Sequence, residues 1–210
     1  WLENLVDWNL SRSRFWGTPL PIWRTADGTE EKCIGSIAEL QAEIDQAVAA
    51  GFMTASPYAG KELDLHRPYV DEVILLSPKG QKMFRETDLI DVWFDSGAMP
   101  YAQWHYPFEN KDIFEANFPA DYIAEGVDQT RGWFFTLHAL SVMLFDSISF
   151  KNVIANGLVL DKNGNKMSKR LGNAIDPFKT LKEYGPDALR WYLLSNANPW
   201  DNLKFNLDGV

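Results

Sequence analysis

The sequence predicts an α/β fold in which a parallel sheet with flanking helices carries one small inserted subdomain. Three observations lead to this prediction. Hydrophobic residues make up 46% of the 210 residues and charged residues 23%, a mixture that supports a packed core. Between residues 122 and 160 the pattern changes from strand to apolar helix to strand, which is typical of a βαβ unit with parallel strands. Residues 33–85 depart from this pattern with one amphipathic helix and a long polar stretch.

The N-terminal part of the chain predicts short elements followed by one helix. A glycine and two prolines break any long helix in residues 1–24, so we expect a short helix, a turn and an extended segment. A helix is predicted over 36–50, because Ser36 is a good N-cap, Glu39 stands at the capping-box position and Gly51 is a natural stop. Four apolar residues at helical spacing predict its core-facing side: Ile37, Leu40, Ile44 and Val48.

The second half of the chain predicts three strands and three helices. The strands are expected at 89–94, 122–124 and 152–160. The helices are expected at 128–145, 177–184 and 186–195. Three regions follow from these patterns: an α/β part at 1–32 and 86–160, the insertion at 33–85, and a basic loop with its following helices at 161–210.

The composition excludes several classes of protein. A net charge of −9 argues against a protein that binds nucleic acid over its whole surface. The single Cys33 excludes a disulfide framework, and the three histidines lack metal-ligand spacing, so no metal site is predicted. No stretch approaches the ~20 apolar residues of a membrane span, so we expect a cytoplasmic protein without membrane contact. Since the chain starts without Met, we expect it to belong to a longer protein.

The segment that follows the last predicted strand carries the clearest chemical signal. Between residues 162 and 170 lie four cations and no acid: Lys162, Lys166, Lys169 and Arg170. Asn163-Gly164 favours a tight turn, so the loop can project from the carboxyl end of a strand, where ligands of parallel sheets collect. A cationic loop at that place suits a polyphosphate. A solvated basic turn without a ligand explains the same charges and stays open at this point.

A second motif lies at the start of the long apolar helix. A strand is expected to end near Glu125, Gly126 allows close approach of the backbone, and Asp128 can cap the helix. Gln129 and Trp133 are four residues apart, so we expect them to share one helix face and to point into one pocket. The alternative is that Asp128 is merely a cap and Trp133 a core aromatic.

Four runs of sequence, taken together, resemble one protein family. The run Lys166-Met167-Ser168-Lys169-Arg170 resembles the signature loop of class I aminoacyl-tRNA synthetases, with Arg170 in the place of the commonest final serine. Three further runs look like the isoleucyl type of that class and follow its order: 11–19, 91–97 and 125–134. The resemblance covers roughly residues 1–205. It places the chain in the catalytic domain, after the editing domain that the family inserts there.

The resemblance implies a fold and an activity. The fold is the C-terminal half of a Rossmann-like catalytic domain, in which residues 161–210 lead toward an anticodon-binding domain. The activity is that of an isoleucine–tRNA ligase. Such an enzyme activates L-isoleucine with ATP, accompanied by Mg²⁺, and transfers the isoleucyl group from the adenylate to tRNA(Ile). We expect a monomer.

The resemblance also implies roles for particular residues. Trp93 and Trp133 would form walls of the pocket for the isoleucine side chain. Lys166 and Lys169 would be the catalytic residues that stabilise the phosphates. ATP and the adenylate would be bound by Glu125, Gly126, Asp128, Gln129, Asn156, Gly157 and Lys169. It implies no metal ligand within the chain.

One absence and two alternatives accompany this interpretation. The His-Ile-Gly-His-type motif of the class does not occur in the 210 residues, so we expect the chain alone to be inactive. Valyl-tRNA synthetase is the nearest enzyme alternative, although the Asp-Ser-Gly after Phe94 fits the isoleucyl type better. A non-catalytic module that binds tRNA or protein is the alternative from another class. Four retained site residues argue against it: Glu125, Trp133, Lys166 and Lys169.

Overall fold

The computed structural model describes residues 2–61 and 64–210. Trp1, Glu62 and Leu63 lie outside the described residues, so the structure does not test the predictions for these three positions. The chain divides into two units, Trp1–Asp95 and Ser96–Val210. The three regions delimited from the sequence, with boundaries at residues 32, 85 and 160, stay a prediction.

The first unit is built on a four-stranded antiparallel sheet. Its strands and α-helices are β1 (Ser11–Arg12), β2 (Ile22–Thr25), β3 (Glu31–Cys33), α1 (Ile37–Ala49), β4 (Ile74–Leu76), β5 (Lys82–Arg85), β6 (Leu89–Ile90) and the start of α2 (Val92–Gly97), with 3-10 turns at Leu2–Asn4 and Tyr69–Glu72. The sheet has the order β3-β2-β5-β4, and β1 pairs with β6, also antiparallel. For the residues of this four-stranded sheet the sequence predicted only extended segments, so the pairing of its strands was not predicted.

Helix α1 confirms its predicted cap and corrects its predicted core face. The Ser36 hydroxyl accepts a hydrogen bond from the Glu39 amide at 3.1 Å, and the Glu39 carboxylate accepts one from the Gly35 amide at 2.7 Å. The prediction that Ile37 faces the core is wrong, because this residue lies in the first turn, at the helix end, and is 54% exposed. The buried side of the helix consists of Leu40, Ile44 and Ala47.

The core of the first unit includes side chains from α1 and from the sheet. Trp23 is almost fully buried, and its indole nitrogen donates to the Val73 carbonyl at 3.0 Å, so its polar atom is satisfied. The cluster consists of Trp23, Ile34, Leu40, Ile44, Tyr58, Val70, Val73, Leu75 and Met83.

The predicted strand at 89–94 is wrong beyond its first two residues. Asp91 ends β6 and starts α2, because its carboxylate accepts a hydrogen bond from the Trp93 amide at 3.2 Å and its carbonyl accepts one from Phe94 at 2.8 Å. Asp91 as a whole is 3% exposed, and its carboxylate also accepts hydrogen bonds from the Trp8 indole at 2.9 Å and from the Arg12 guanidinium at 2.7 Å. Trp93 therefore lies on a helix whose start is fixed by a buried charge.

The second unit contains two parallel strand pairs. Its elements are α3 (Met99–Ala102), α4 (Lys111–Asn117), β7 (Ile123–Gly126), α5 (Trp133–Phe145), β8 (Val153–Asn156), β9 (Val159–Leu160), α6 (Pro177–Tyr184), α7 (Pro186–Ser195) and β10 (Leu203–Lys204), with 3-10 turns at Val127–Arg131, Lys169–Leu171 and Leu207–Gly209. Strand β7 pairs with β8 and β9 pairs with β10, both in parallel. The βαβ unit, formed by β7, α5 and β8, and the α/β fold class are confirmed, as are the two helices after residue 176.

Two longer elements predicted for this unit are broken by glycines. The helix expected at 128–145 is interrupted at Gly132, whose φ of −139° and ψ of −115° are not helical, so a 3-10 turn precedes α5. The strand expected at 152–160 divides at Gly157 into β8 and β9. Across residues 2–61 and 64–210, no helix is both long and apolar enough to cross a bilayer.

Candidate functional site

The carboxyl ends of β7 and β8 bring together two pairs of predicted site residues. In the register of this parallel pair, Glu125 stands opposite Ala155 and Gly126 opposite Asn156. Gly157 follows at once. Parallel strands present their carboxyl ends at one edge of a sheet, which is where ligands bind in α/β folds. The predicted adenylate-binding groups of the two strands therefore lie side by side.

The turn after β7 folds its side chains back onto the backbone. A Cβ added at Gly126 would lie 2.6 Å from the Asp128 carboxylate oxygen, so this glycine leaves room for that carboxylate. The prediction that Asp128 caps the helix is wrong, because Gln129 takes that role. Its side-chain oxygen accepts a hydrogen bond from the Trp133 amide at 3.1 Å. The predicted shared helix face of Gln129 and Trp133 is also wrong, because Gly132 separates the two helical segments.

Trp133 is half-buried at the start of α5, and its indole nitrogen donates to the Ser96 carbonyl at 2.9 Å. It lines a cleft of about 690 Å³ together with Glu125, Leu137 and Phe150. The hydrogen bond to Ser96 fixes the orientation of the indole ring, and the ring gives this side of the cleft an apolar surface, as in many binding pockets. Trp93 belongs to the first unit, on α2, and is 45% exposed.

The corner between β8 and β9 is packed against residues 199–203. The Gly157 amide donates to the Pro199 carbonyl and the Leu158 amide to the Asn202 side chain, each at 2.8 Å. A Cβ at Gly157 would overlap the Asp201 carbonyl group and would lie 2.8 Å from the Asn202 nitrogen. Glycine is therefore required here for close approach of two backbones. Nothing in the sequence indicated the role of residues 199–203.

The predicted tight turn is present in the basic loop. Gly164 has φ +88°, its amide donates to the Asp161 carbonyl at 2.9 Å, and Leu160 forms an antiparallel bridge with Lys166. Within the described part of the chain, none of the loop's four cations forms an ion pair. The loop thus presents positive charge that no ion pair within residues 2–61 and 64–210 neutralises.

The loop places its apolar and its cationic residues in different surroundings. Met167 packs against a cluster that contains Tyr192, Leu203 and Phe205, whereas Lys166 and Lys169 are exposed. Ser168 is the N-cap of the short 3-10 turn that follows, because its hydroxyl accepts a hydrogen bond from the Leu171 amide at 3.2 Å. Anchoring by Met167 leaves both lysines free to meet an anion.

Asp161 accepts hydrogen bonds from several groups around this loop. The pKa of its carboxyl group is lowered, first by the hydrogen bond from the Asn173 side chain and then by that from the Asn165 amide. Asn173 is not among the site residues predicted from the sequence. Its place after Leu171-Gly172 indicated no more than a turn, because neither charge nor periodicity marks an amide side chain that folds back on a loop.

Comparison with known proteins identifies the class. The chain belongs to the class I tRNA synthetases (I, L, M and V), whose family pattern matches residues 1–206. The isoleucine–tRNA ligase of Cytophaga hutchinsonii is 73% identical over 210 residues, the whole of this chain. That of Bacteroides fragilis is 65% identical over an alignment of 225 positions, which also covers the whole chain. These relatives confirm the predicted resemblance to the isoleucyl type.

A solved structure supports the fold. The ternary complex of Agrobacterium radiobacter K84 agnB2 LeuRS with tRNA and LeuAMS matches 98% of this chain and 26% of that chain, with a TM-score of 0.69 and 24% identity. The chain spans 19% of the length of the Cytophaga relative and 20% of the Bacteroides relative. In the described residues, no group of three or more His, Cys, Asp or Glu side chains is placed to hold a metal ion.

Proposed function

We propose that this chain is a part of an isoleucine–tRNA ligase. The enzyme activates L-isoleucine with ATP·Mg²⁺ as its substrate complex and transfers the isoleucyl group to tRNA(Ile). The observation that carries the proposal is the lysine loop, residues 162–170. Its cations have no ion-pair partner among the described residues, and it follows β9 in a chain 73% identical to such a ligase. The proposed compartment is the cytoplasm, and the proposed state is a monomer.

In the first reaction, an isoleucine carboxylate oxygen attacks the α-phosphorus of ATP, the bond from this phosphorus to the bridging oxygen breaks, and pyrophosphate leaves with the electron pair. Negative charge moves toward the β- and γ-phosphates. Lys166 and Lys169 are proposed to stabilise that charge with their ammonium groups, which lowers the barrier without a covalent intermediate on the protein. In the second reaction, a ribose hydroxyl of tRNA attacks the adenylate carbonyl and AMP leaves.

The residues at the ends of β7 and β8 are proposed to hold the adenylate. The exposed Glu125 carboxylate can accept hydrogen bonds from ribose hydroxyls or from the substrate ammonium group. Gly126, Asp128 and Gln129 complete that side. Asn156 and Gly157 are proposed to border the adenine through their backbone. Trp133 and Trp93 are proposed walls for the isoleucine side chain.

The test is isoleucine-dependent exchange between ATP and pyrophosphate, measured with the full-length parent enzyme. Lys169→Ala and Lys166→Ala are each expected to reduce kcat at least ~100-fold, the effect of removing one group that stabilises transition-state charge. Lys162→Ala is the matched control, because it removes an exposed cation from the same loop, and it is expected to stay within about threefold of the wild type.

Three outcomes would contradict the proposal. These are absence of exchange with isoleucine in the parent enzyme, faster activation of valine than of isoleucine, and equal losses for Lys162→Ala and Lys169→Ala. The 210-residue chain itself is predicted to show no exchange above its own Lys169→Ala variant, because the His-Ile-Gly-His-type motif does not occur in it.

A further inference from the structure

We infer that Asn173 is a positioning residue that sets the place of Lys166 and Lys169. The inference deepens the proposed function and rests on it. A single amide group holds the backbone of the lysine loop on both sides of Met167. Its oxygen accepts a hydrogen bond from the Ser168 amide at 2.9 Å, and its nitrogen donates to the Lys166 carbonyl at 3.3 Å.

The orientation of this amide is determined by its partners. A backbone N–H can only donate, and a carbonyl or a carboxylate can only accept. The oxygen of Asn173 must therefore face Ser168, and the nitrogen must face Lys166 and Asp161, whose carboxylate lies at 3.0 Å. Both hydrogens on the nitrogen and one acceptor position of the oxygen are used, and among the other side chains only the longer glutamine carries the same groups.

Asp161 connects this amide to the base of the loop. Its carboxylate accepts hydrogen bonds from the backbone amides of Asn163 at 2.9 Å and Asn165 at 2.8 Å, in addition to that from Asn173. The turn at Gly164 and the segment that carries both lysines are thus joined through one carboxylate and one amide. Asp161 and Asn173 are both half-buried.

The two lysines are exposed and long, so their own contacts do not fix their position. Only the backbone can place them against the phosphates of ATP. In the loop this backbone is held by the bridge between Leu160 and Lys166, by Met167 in its apolar cluster and by Asn173. Among the described side chains, that of Asn173 bonds both the Lys166 carbonyl and the Ser168 amide, and so it acts on the backbone on both sides of Met167. Misplacement of a catalytic group by about 1 Å costs ~100-fold in rate.

The experiment uses the full-length parent enzyme and two readouts. Asn173→Ala is expected to lower kcat for isoleucine-dependent exchange 10- to 100-fold, with KM for isoleucine within twofold of the wild type. Trypsin is the second readout, since Lys166, Lys169 and Arg170 are exposed cleavage sites. Cleavage within 162–170, located by mass spectrometry, is expected to become at least fivefold faster. Gln41→Ala removes an amide that donates to the Asp45 carboxylate in α1, outside the loop and the cleft, and it is expected to change neither readout.

A pair of substitutions tests the link to Asp161. Asn173→Asp places two carboxylates together and is expected to reduce kcat at least as much as Asn173→Ala. Asp161→Asn in the same chain restores an amide–carboxylate pair with reversed polarity and is expected to recover at least fivefold of that loss. If Asn173→Ala is not recovered as a folded protein, this pair decides the question.

The outcomes separate the two proposals. Loss of exchange in Lys169→Ala together with wild-type kcat and trypsin cleavage in Asn173→Ala would overturn the positioning role and leave the proposed function intact. No rescue by the second substitution would overturn the link through Asp161. A parent enzyme without isoleucine-dependent exchange contradicts the proposed function, and faster loop cleavage in Asn173→Ala would then still support the clamp on the loop.

Discussion

Replacement of Gly157 by alanine is predicted to open the corner between β8 and β9. The φ of Gly157 is not in the left-handed region, so the whole effect is steric. The added methyl group overlaps the Asp201 carbonyl, which is backbone and has to move. Such overpacking costs about 1–3 kcal/mol. The bonds from Gly157 to Pro199 and from Leu203 to Leu158 are lost with it, at about 1 kcal/mol each. The sum is about 3–5 kcal/mol.

Hydrogen exchange at the Leu203 and Phe205 amides measures this opening, because they donate to the Leu158 and Leu160 carbonyls, both at 2.9 Å. Since ~1.4 kcal/mol corresponds to a factor of ten, protection in Gly157→Ala is expected to fall by roughly two to four orders of magnitude. The control is Gly172→Ala, where φ is +66° and the space is open. It is expected to cost about 1 kcal/mol of backbone strain. Equal protection in the two variants would refute the steric argument.

Two further predictions concern the first unit. Ile44→Ala removes a fully buried side chain and is expected to reduce the free energy of unfolding by about 2–5 kcal/mol in urea titrations. Ile37→Ala, at an exposed position, is expected to reduce it by less than about 0.5 kcal/mol. Similar losses for the two variants would show that Ile37 also packs in the core. The pKa of Asp27 is lowered to about 2, first by the Thr25 hydroxyl and then by Thr29. This carboxylate favours the folded turn above its unfolded pKa near 3.8, and the contribution is lost as pH falls through about 2. Thr25→Val is expected to raise that pKa in a carboxyl-carbon NMR titration, and an unchanged midpoint would show that Thr25 is not the main cause.

Local signals explain which parts of the fold the sequence predicts well. Helix α1 begins where Ser36 can cap it, and α6 begins after Asp176, whose carboxylate accepts hydrogen bonds from the Phe178 and Lys179 amides. These contacts lie within a few residues, so a sequence pattern contains them. The antiparallel sheet joins β2 to β5, about sixty residues apart (82 − 22). Its strands have three or four residues each, too few for a clear alternation.

The candidate site also has some features that the sequence predicts and others that it does not. The motif residues Glu125, Gly126 and Asn156 were found by their resemblance, and the parallel register puts them side by side. The detailed geometry of the site was not predictable from the sequence. It depends on side chains that bond to backbone groups across a break in a helix or in another segment of the chain. Gln129 acts as a cap because Gly132 breaks the helix between it and Trp133. Asn173 acts on a loop that precedes it, through three bonds that no spacing rule describes.

The parallel pairing of β9 with β10 has a consequence for biosynthesis. The ribosome makes the lysine loop well before it makes residues 203–205. Leu203 and Lys204 form β10, the partner strand of β9, and Leu203 and Phe205 belong to the apolar cluster around Met167. During translation, the lysine loop therefore leaves the exit tunnel before the strand and the cluster residues that support it in the fold. A nascent chain that stops before this point would contain the complete signature run without the fold that orients it.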